Sequence, residues 1–275
     1  MISSPPKIGL ALSGGAARGI AHVGVLRAFI ENNIRIDCIA GTSAGSIVAG
    51  AYATGMPIED IAEFGRRLRW RDIGRVTMSR LGIQSNERLE QYLRTRLPIT
   101  RFEDLSMPFA AVATDLKTNA AVVMKDQGDI PFAIRASCTI PGWYVPVIDD
   151  KGRQLVDGGL VAVIPAVVTR SLGADIVIAV DVNTEGATFI GASSSVIGVL
   201  LQSMMVVQKT ASAHQLEMSD FVISPKVGHI RWDEMGRADE LMSVGYDATI
   251  ANMDKIRDVI DSAASKEAQR EQMLA

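Results

Sequence analysis

Residues 7–55 read KIGLALSGGAARGIAHVGVLRAFIENNIRIDCIAGTSAGSIVAGAYATG. Residues 7–12 open with a short continuous apolar run, the pattern of a strand buried on both faces. A glycine-rich turn over residues 13–19 follows. Ile20, Val23, Leu26 and Ile30 then recur at helical spacing. Residues 35–40 form a second apolar run, and residues 43–54, rich in small side chains, a second helical stretch. Strand, helix, strand and helix joined by connections this short make two neighbouring parallel strands.

The same reading extends outward. Gly55 closes the second helix. Pro57 opens a third, with Glu59 and Asp60 in its first turn and Ile58, Ile61, Phe64 and Leu68 as its apolar stripe. A helix is expected over 85–97, and strands over 109–114 and 120–124 flank a turn at 117–119. A helix over 130–138 stops at Pro141-Gly142. Strands at 153–156 and 175–181 bracket an apolar helix at 165–172. Beyond Asn183 come a Gly-, Ala- and Ser-rich loop to 195, a long Met-rich helix, a short strand at 221–224 and a final helix from about 239 to 264. Residues 1–6 and the polar tail from 265 read as frayed ends. With no internal repeat and no linker, residues 1–275 are expected to form one α/β domain: a motif-bearing core over 7–182 and a helical part over 194–264.

Composition excludes several classes. Of the 275 residues, 48% are hydrophobic and 21% charged, enough for a packed core and unlike a disordered chain. The 28 Lys and Arg against 31 Asp and Glu give a formal net charge of −3, too balanced for a nucleic-acid partner. Cys38 and Cys138 sit inside apolar runs without zinc-like spacing, which suits buried thiols in a reducing compartment. No secretory leader is visible, and the longest later apolar stretch, residues 196–207, falls short of the roughly 18 residues that span a bilayer. The expectation is a cytoplasmic protein, with peripheral contact to a membrane surface as its closest approach to lipid.

The motif that carries chemistry is Gly41-Thr-Ser-Ala-Gly45. It fits G-x-S-x-G in the required context, after a strand and before a helix. A serine on such a turn presents its hydroxyl at a helix N-terminus, where developing negative charge is favoured. Ser13-Gly-Gly-Ala-Ala-Arg-Gly19 occupies the turn after the first strand, and its small residues let backbone N–H groups converge as an oxyanion hole requires. A dinucleotide loop would read G-x-G-x-x-G, which Ala16 breaks, and the Gly-Lys-Ser/Thr of a phosphate loop is absent.

Ser43 needs a proton acceptor. His22 lies inside the first helix, and His214 and His229 lie in late polar segments, none with a supporting motif. An α/β-hydrolase order of Ser, Asp and His does not fit a serine that follows only the second strand. Asp157, in Leu155-Val-Asp-Gly-Gly159, ends a short apolar strand. Its carboxylate would serve if desolvation raised its pKa. Asp115, Asp149, Asp150 and Asp181 compete for that role.

The combination of the Gly14–Gly19 loop, Gly41-Thr-Ser-Ala-Gly45 and Asp157-Gly-Gly159, extended by Ala113-Thr-Asp115 and Arg135-Ala-Ser-Cys-Thr-Ile-Pro141, resembles the patatin-like phospholipase family, bacterial branch. The resemblance implies a three-layer αβα fold with a mostly parallel central sheet. It further implies a Ser–Asp dyad with Ser43 as acyl acceptor and Asp157 as base, without metal or cofactor. Gly14, Gly15, Ala16, Ala17, Arg18 and Gly19 would supply the oxyanion hole, and Gly41, Gly45, Gly158 and Gly159 the close turns. Ala16 stands where the family usually has glycine, which leaves the N–H in place provided φ there is not strongly positive. Arg18 would orient the loop or its bound anion.

Lipid is suggested at two places. Residues 66–80 carry six arginines against Asp72, a local +5 with Trp70 among them, which suits either an anionic membrane face or a solvated helix end. The Met204-Met205 helix suits an acyl cleft, ordinary core or a contact within a homodimer. The 183–195 loop suits a flap over the site. Three readings stay open: a hydrolase of phospholipid or lysophospholipid esters, an esterase for small soluble esters, and a catalytically silent binding protein of the same fold.

Overall fold

Ile8, Leu10 and Leu12 alternate with Gly9 and Ala11 in β1 (Ile8–Leu12), and all five are buried. The structure, a computed structural model, describes residues 5–183 and 196–274. From β1 the chain passes through a 3₁₀ turn, Ala16–Ile20, into α1 (Ala21–Glu31) and returns as β2 (Cys38–Thr42). One residue later α2 (Ala44–Ala53) begins, followed by α3 (Ile58–Arg67) and the single turn α4 (Trp70–Ile73). Two short strands, β3 (Arg75–Val76) and β4 (Gly82–Ser85), lead to α5 (Glu87–Arg96). Then come β5 (Phe109–Asp115), β6 (Ala120–Met124), α6 (Ile130–Ser137), β7 (Gly142–Tyr144), β8 (Val147–Ile148) and β9 (Gln154–Asp157). The remainder is α7 (Ala166–Ser171), β10 (Ile176–Val180), α8 (Val196–Leu216), β11 (Phe221–Ile223), α9 (Ala238–Ile250) and α10 (Met253–Leu274).

The main sheet runs β11-β10-β1-β2-β5-β9-β8, with β6 also paired to β5. The five strands from β11 to β5 are parallel, and β6, β8 and β9 are antiparallel additions. The alternation along β1 builds the layers, because successive side chains leave opposite faces. Leu10 and Leu12, with Ile39, Ile178 and Val180, join the main core beneath Val23, Leu26 and Phe29 of α1 and Ile47 and Val48 of α2. Ala11, Val177 and Ala179 pack on the other face against Val163, Ile164 and Ala166, with Leu216 of α8 alongside. Both faces of the sheet are therefore covered, the three-layer αβα arrangement expected from the resemblance.

Two expectations need correction, and one element was not foreseen. The second strand is Cys38–Thr42, shifted toward the turn that follows it, because its register is set by β1, from Gly9 opposite Cys38 to Leu12 opposite Gly41. The single final helix is two. Asn252 N–H bonds back to Thr249 O at 3.0 Å and its side chain bonds Ala248 O at 2.8 Å, which tightens the chain after Ile250 before α10 resumes. A second, three-stranded sheet, β3-β4-β7, was not expected, since its strands are two to four residues long and half exposed. No helix among the described residues is long and apolar enough to cross a membrane. The proposed flap, apart from Asn183, lies outside the described residues.

Candidate active site

β5 brings the two halves of the site together. β6 runs along one of its edges, opposite Ala111–Asp115. Along the other edge β2 pairs in parallel with Phe109–Val112, and β9 continues antiparallel opposite Ala113–Asp115. The register makes these two oppositely directed strands meet at their C-termini. Thr42 lies opposite Val112 and Asp157 opposite Ala113, so the chain leaves both strands at one point. Gly158 is required there, because a Cβ would collide with the Val112 carbonyl.

Ser43 occupies the single residue between β2 and α2, with φ 51° and ψ −127°, a strained backbone for a side chain other than glycine. The surroundings hold it in place. Its N–H donates to Ser137 Oγ at 2.8 Å, and that hydroxyl donates to Val112 O at 2.6 Å. Ser46 Oγ donates to Ser43 O at 2.6 Å. Gly45 lets the α2 backbone reach the end of β1, where a Cβ would strike the Leu12 carbonyl.

Asp157 is fixed on its backbone by donation to Thr139 O at 2.8 Å and acceptance from Thr114 Oγ1 at 2.9 Å. Its carboxyl is buried, and Oδ1 accepts the Gly159 N–H at 2.8 Å. Burial raises its pKa from the ordinary 3.8 to about 6, against the pull of hydrogen bonds from the Ser43 hydroxyl and Gly159. A carboxylate in such a setting is a stronger base than one in water and faces the serine hydroxyl. Cys138 lies against the same pair, its thiol pKa driven up by burial and by the Asp157 charge.

The glycine loop is anchored on several sides. Ser13 N–H donates to Val180 O at 3.0 Å, its carbonyl receives His22 Nε2 at 2.9 Å, and Asn183 Nδ2 bonds Gly14 O at 2.6 Å. Gly14, Ala17 and Arg18 spend their N–H groups on Val163, Trp232 and Gly15 carbonyls respectively. Gly15 and Ala16 have N–H groups with no acceptor among the described residues. Contrary to the condition set from the sequence, Ala16 has a positive φ of 50°, the left-handed region that an alanine enters at a cost of about 1–2 kcal/mol, and its N–H is nonetheless one of the two left without an acceptor among the described residues. The glycine usual at this position would carry no such strain. Arg18 is buried, and its guanidinium donates to Ile230 O and Gly228 O, tying the loop to the segment before α9.

The competing groups are engaged elsewhere. Asp115 caps the β5–β6 turn through Lys117 N and Thr118 Oγ1, Asp149 holds Arg153, and Asp181 accepts Asn183 N. Asp150 is exposed. His214 pairs with Glu217 and His229 with Glu240. His22 is buried with Nδ1 unbonded, and burial lowers its pKa to about 4.

Ser43 stands between two clefts. One, about 740 Å³ counting its open mouth, is almost wholly apolar, walled by Ile47, Val48 and Ala51 of α2, Phe64 of α3, Trp70 and Met235. The other, about 630 Å³ on the same basis, holds Asp157, Asn183, Met204, Met205, Gln208 and Lys209. Sequence reasoning did not reach the roles of Ser137 and Thr139, although both lie in the 135–141 stretch that supported the resemblance. Lys209 gave no signal at all, being one lysine on an apolar helix.

The patatin-like phospholipase family model matches residues 10–169. The "Uncharacterized NTE family protein" of Mycobacterium tuberculosis is 38% identical over 184 residues, covering 66% of this chain and 50% of that protein. Lysophospholipase NTE1 of Mycosarcoma maydis is 36% identical over 185 residues, 64% of this chain and 10% of its own. Patatin-like phospholipase domain-containing protein 6 of Mus musculus is 34% identical over 197 residues, 66% and 14% respectively. The chain thus spans half or less of the length of these curated relatives. Among solved structures, VipD from Legionella pneumophila shares the fold with a TM-score of 0.52 and 15% identity, over 95% of this chain and 68% of that one. The matched residues exceed half of the chain and contain the serine turn, the glycine loop and Asp157, and the chain belongs to the patatin-like phospholipase family.

Proposed function

We propose that the protein hydrolyses acyl ester bonds of phospholipids or lysophospholipids through a Ser43–Asp157 dyad and an acyl-enzyme. The observation that carries this reading is a serine hydroxyl on a buried carboxyl of pKa about 6, at the head of an apolar cleft. In the first step Asp157 takes the hydroxyl proton as Ser43 Oγ attacks the ester carbonyl. The oxyanion lies against the N–H groups of Gly15 and Ala16, helped by the α2 N-terminus. Collapse of the tetrahedral species breaks the bond to the leaving alcohol, and the protonated Asp157 gives that oxygen its proton. Water then attacks the acyl-enzyme, losing a proton to Asp157, and the proton returns to Ser43 as the fatty acid leaves.

The two clefts divide the substrate. The apolar cleft suits the acyl chain, because burying each methylene there contributes about 0.8 kcal/mol. The second cleft suits the leaving group, with Lys209 placed for a head-group phosphate. The test is a panel of phospholipids, lysophospholipids and short soluble esters, assayed with wild type and Ser43→Ala alongside labelling by a serine-reactive fluorophosphonate. Wild type is expected to release fatty acid from the lipids and to take the label, and Ser43→Ala to do neither. Labelling that persists in Ser43→Ala overturns the nucleophile. Turnover confined to soluble esters overturns the lipid substrate.

A further inference from the structure

Residues 75–86 contain no carboxylate. Within them lies the β3–β4 hairpin, whose connection over 77–81 carries a fully exposed Met78. Val76 is 73% and Leu81 58% exposed beside it. Arg75 and Arg80 flank this tip, both exposed and without an ion-pair partner among the described residues. Arg71, just before the hairpin, is also exposed, with its nearest acid, Asp72, at 4.0 Å. The remaining arginines of the basic stretch are committed. Arg66 pairs with Asp239, Arg67 with Glu63, and Arg69 bonds the carbonyls of Arg66 and Leu68.

Water is a poor environment for such a tip. Large apolar side chains clustered at a loop, ringed by arginines and free of acids, match an interface where the chains enter hydrocarbon and the guanidiniums meet phosphates. The placement adds a second argument. α4, which leads directly into β3, supplies Trp70 and Ile73 to the wall of the apolar cleft, and β7, paired with β4, supplies Tyr144 to the same wall. The hairpin is therefore joined to two elements that wall the cleft.

We infer that the β3–β4 hairpin docks the protein onto an anionic lipid bilayer and sets the mouth of the apolar cleft against the membrane. This rests on the lipid-ester reading for its purpose, but binding can be measured without turnover. Charge complementarity selects the occupant: the chain is net negative, whereas residues 75–86 carry Arg75 and Arg80 and no carboxylate.

The full chain carrying Ser43→Ala, which cannot consume the vesicles, is co-sedimented with phosphatidylcholine vesicles and with phosphatidylcholine–phosphatidylglycerol vesicles. Binding is expected to the anionic vesicles and to weaken with salt. Arg75→Gln with Arg80→Gln lowers the partition coefficient on the order of thirtyfold, from about 1 kcal/mol per arginine at an anionic surface. Met78→Asp with Leu81→Asp lowers it at least about tenfold. Both pairs, placed in the chain with Ser43 intact, keep wild-type turnover of a short soluble ester, which shows that they fold. Equal binding to both vesicle types, or binding that neither pair alters, overturns the proposal. So does a solution dimer dissociated by Met78→Asp in a protein that ignores vesicles, since the occupant is then a second copy. Absence of all ester turnover in wild type overturns the catalytic reading instead, while the sedimentation result still decides the docking.

Discussion

Asp157→Asn separates catalysis from stability. The carboxyl has a pKa of about 6 in the folded protein, against 3.8 ordinarily, because burial disfavours its charged form. Between those values the folded state binds more protons than the unfolded chain. Stability from this group is therefore full below about pH 4 and is lost as pH rises to about 6. At roughly 1.4 kcal/mol per pH unit the ionised carboxylate costs the fold about 3 kcal/mol at pH 8. Asparagine keeps an oxygen to accept the Gly159 N–H and carries no charge to desolvate. The variant is expected to gain up to about 3 kcal/mol at pH 8, less whatever its Nδ2 leaves unpaired. For a chain of this length that is roughly 6 °C in melting temperature, shrinking to nothing near pH 4. Catalysis moves the other way: the variant loses turnover, while wild-type kcat/KM falls about tenfold per pH unit below about 6 and levels above it. Thermal melts of both proteins from pH 4 to 8, with soluble-ester kinetics on the same samples, measure both arms. An Asp157→Asn protein no more stable than wild type at pH 8, or one that still turns over substrate, refutes the reasoning.

Two further outcomes are expected. His22 has its pKa lowered from 6.5 to about 4 by burial, so the unfolded chain takes up the proton first as pH falls, and the fold loses about 3 kcal/mol across that window. His22→Gln, which keeps a donor for Ser13 O, removes this acid sensitivity, and melts at pH 4.5 and 7.5 against wild type show whether the difference disappears. Lys209→Ala raises KM two- to fivefold for lipids that carry a phosphate and leaves neutral soluble esters unaffected, as expected for an exposed charge. Equal effects on both substrate classes would remove Lys209 from head-group recognition.

Much of this protein is written in short-range patterns. The unbroken apolar runs of β1 and β10 specify strands covered on both faces, and the spacing of Val23 and Leu26 specifies the helix over them. Gly41-Thr-Ser-Ala-Gly45 specifies a serine on a strained turn, and an aspartate before two glycines specifies a carboxyl at a strand end. These features are legible because backbone conformation and buried face depend on neighbours two to four positions away. The short strands of the second sheet were not legible, since two to four half-exposed residues carry no periodic signal. Nor was the break after Ile250, which rests on one asparagine side chain.

The sequence favoured Asp157 among five aspartates, and the tertiary structure is what brings its carboxyl against Ser43. That depended on β2 and β9 ending head to head on one edge of β5, and strand pairing between distant segments leaves no mark in either segment's own pattern. It also decided which amides of the Gly14–Gly19 loop lack acceptors, because Val163 and Trp232, the partners that occupy two of the others, lie far along the chain. The raised pKa of Asp157 has the same origin. Desolvation is a property of everything packed around a group, so a carboxyl's strength as a base is fixed by the fold and not by the residues beside it.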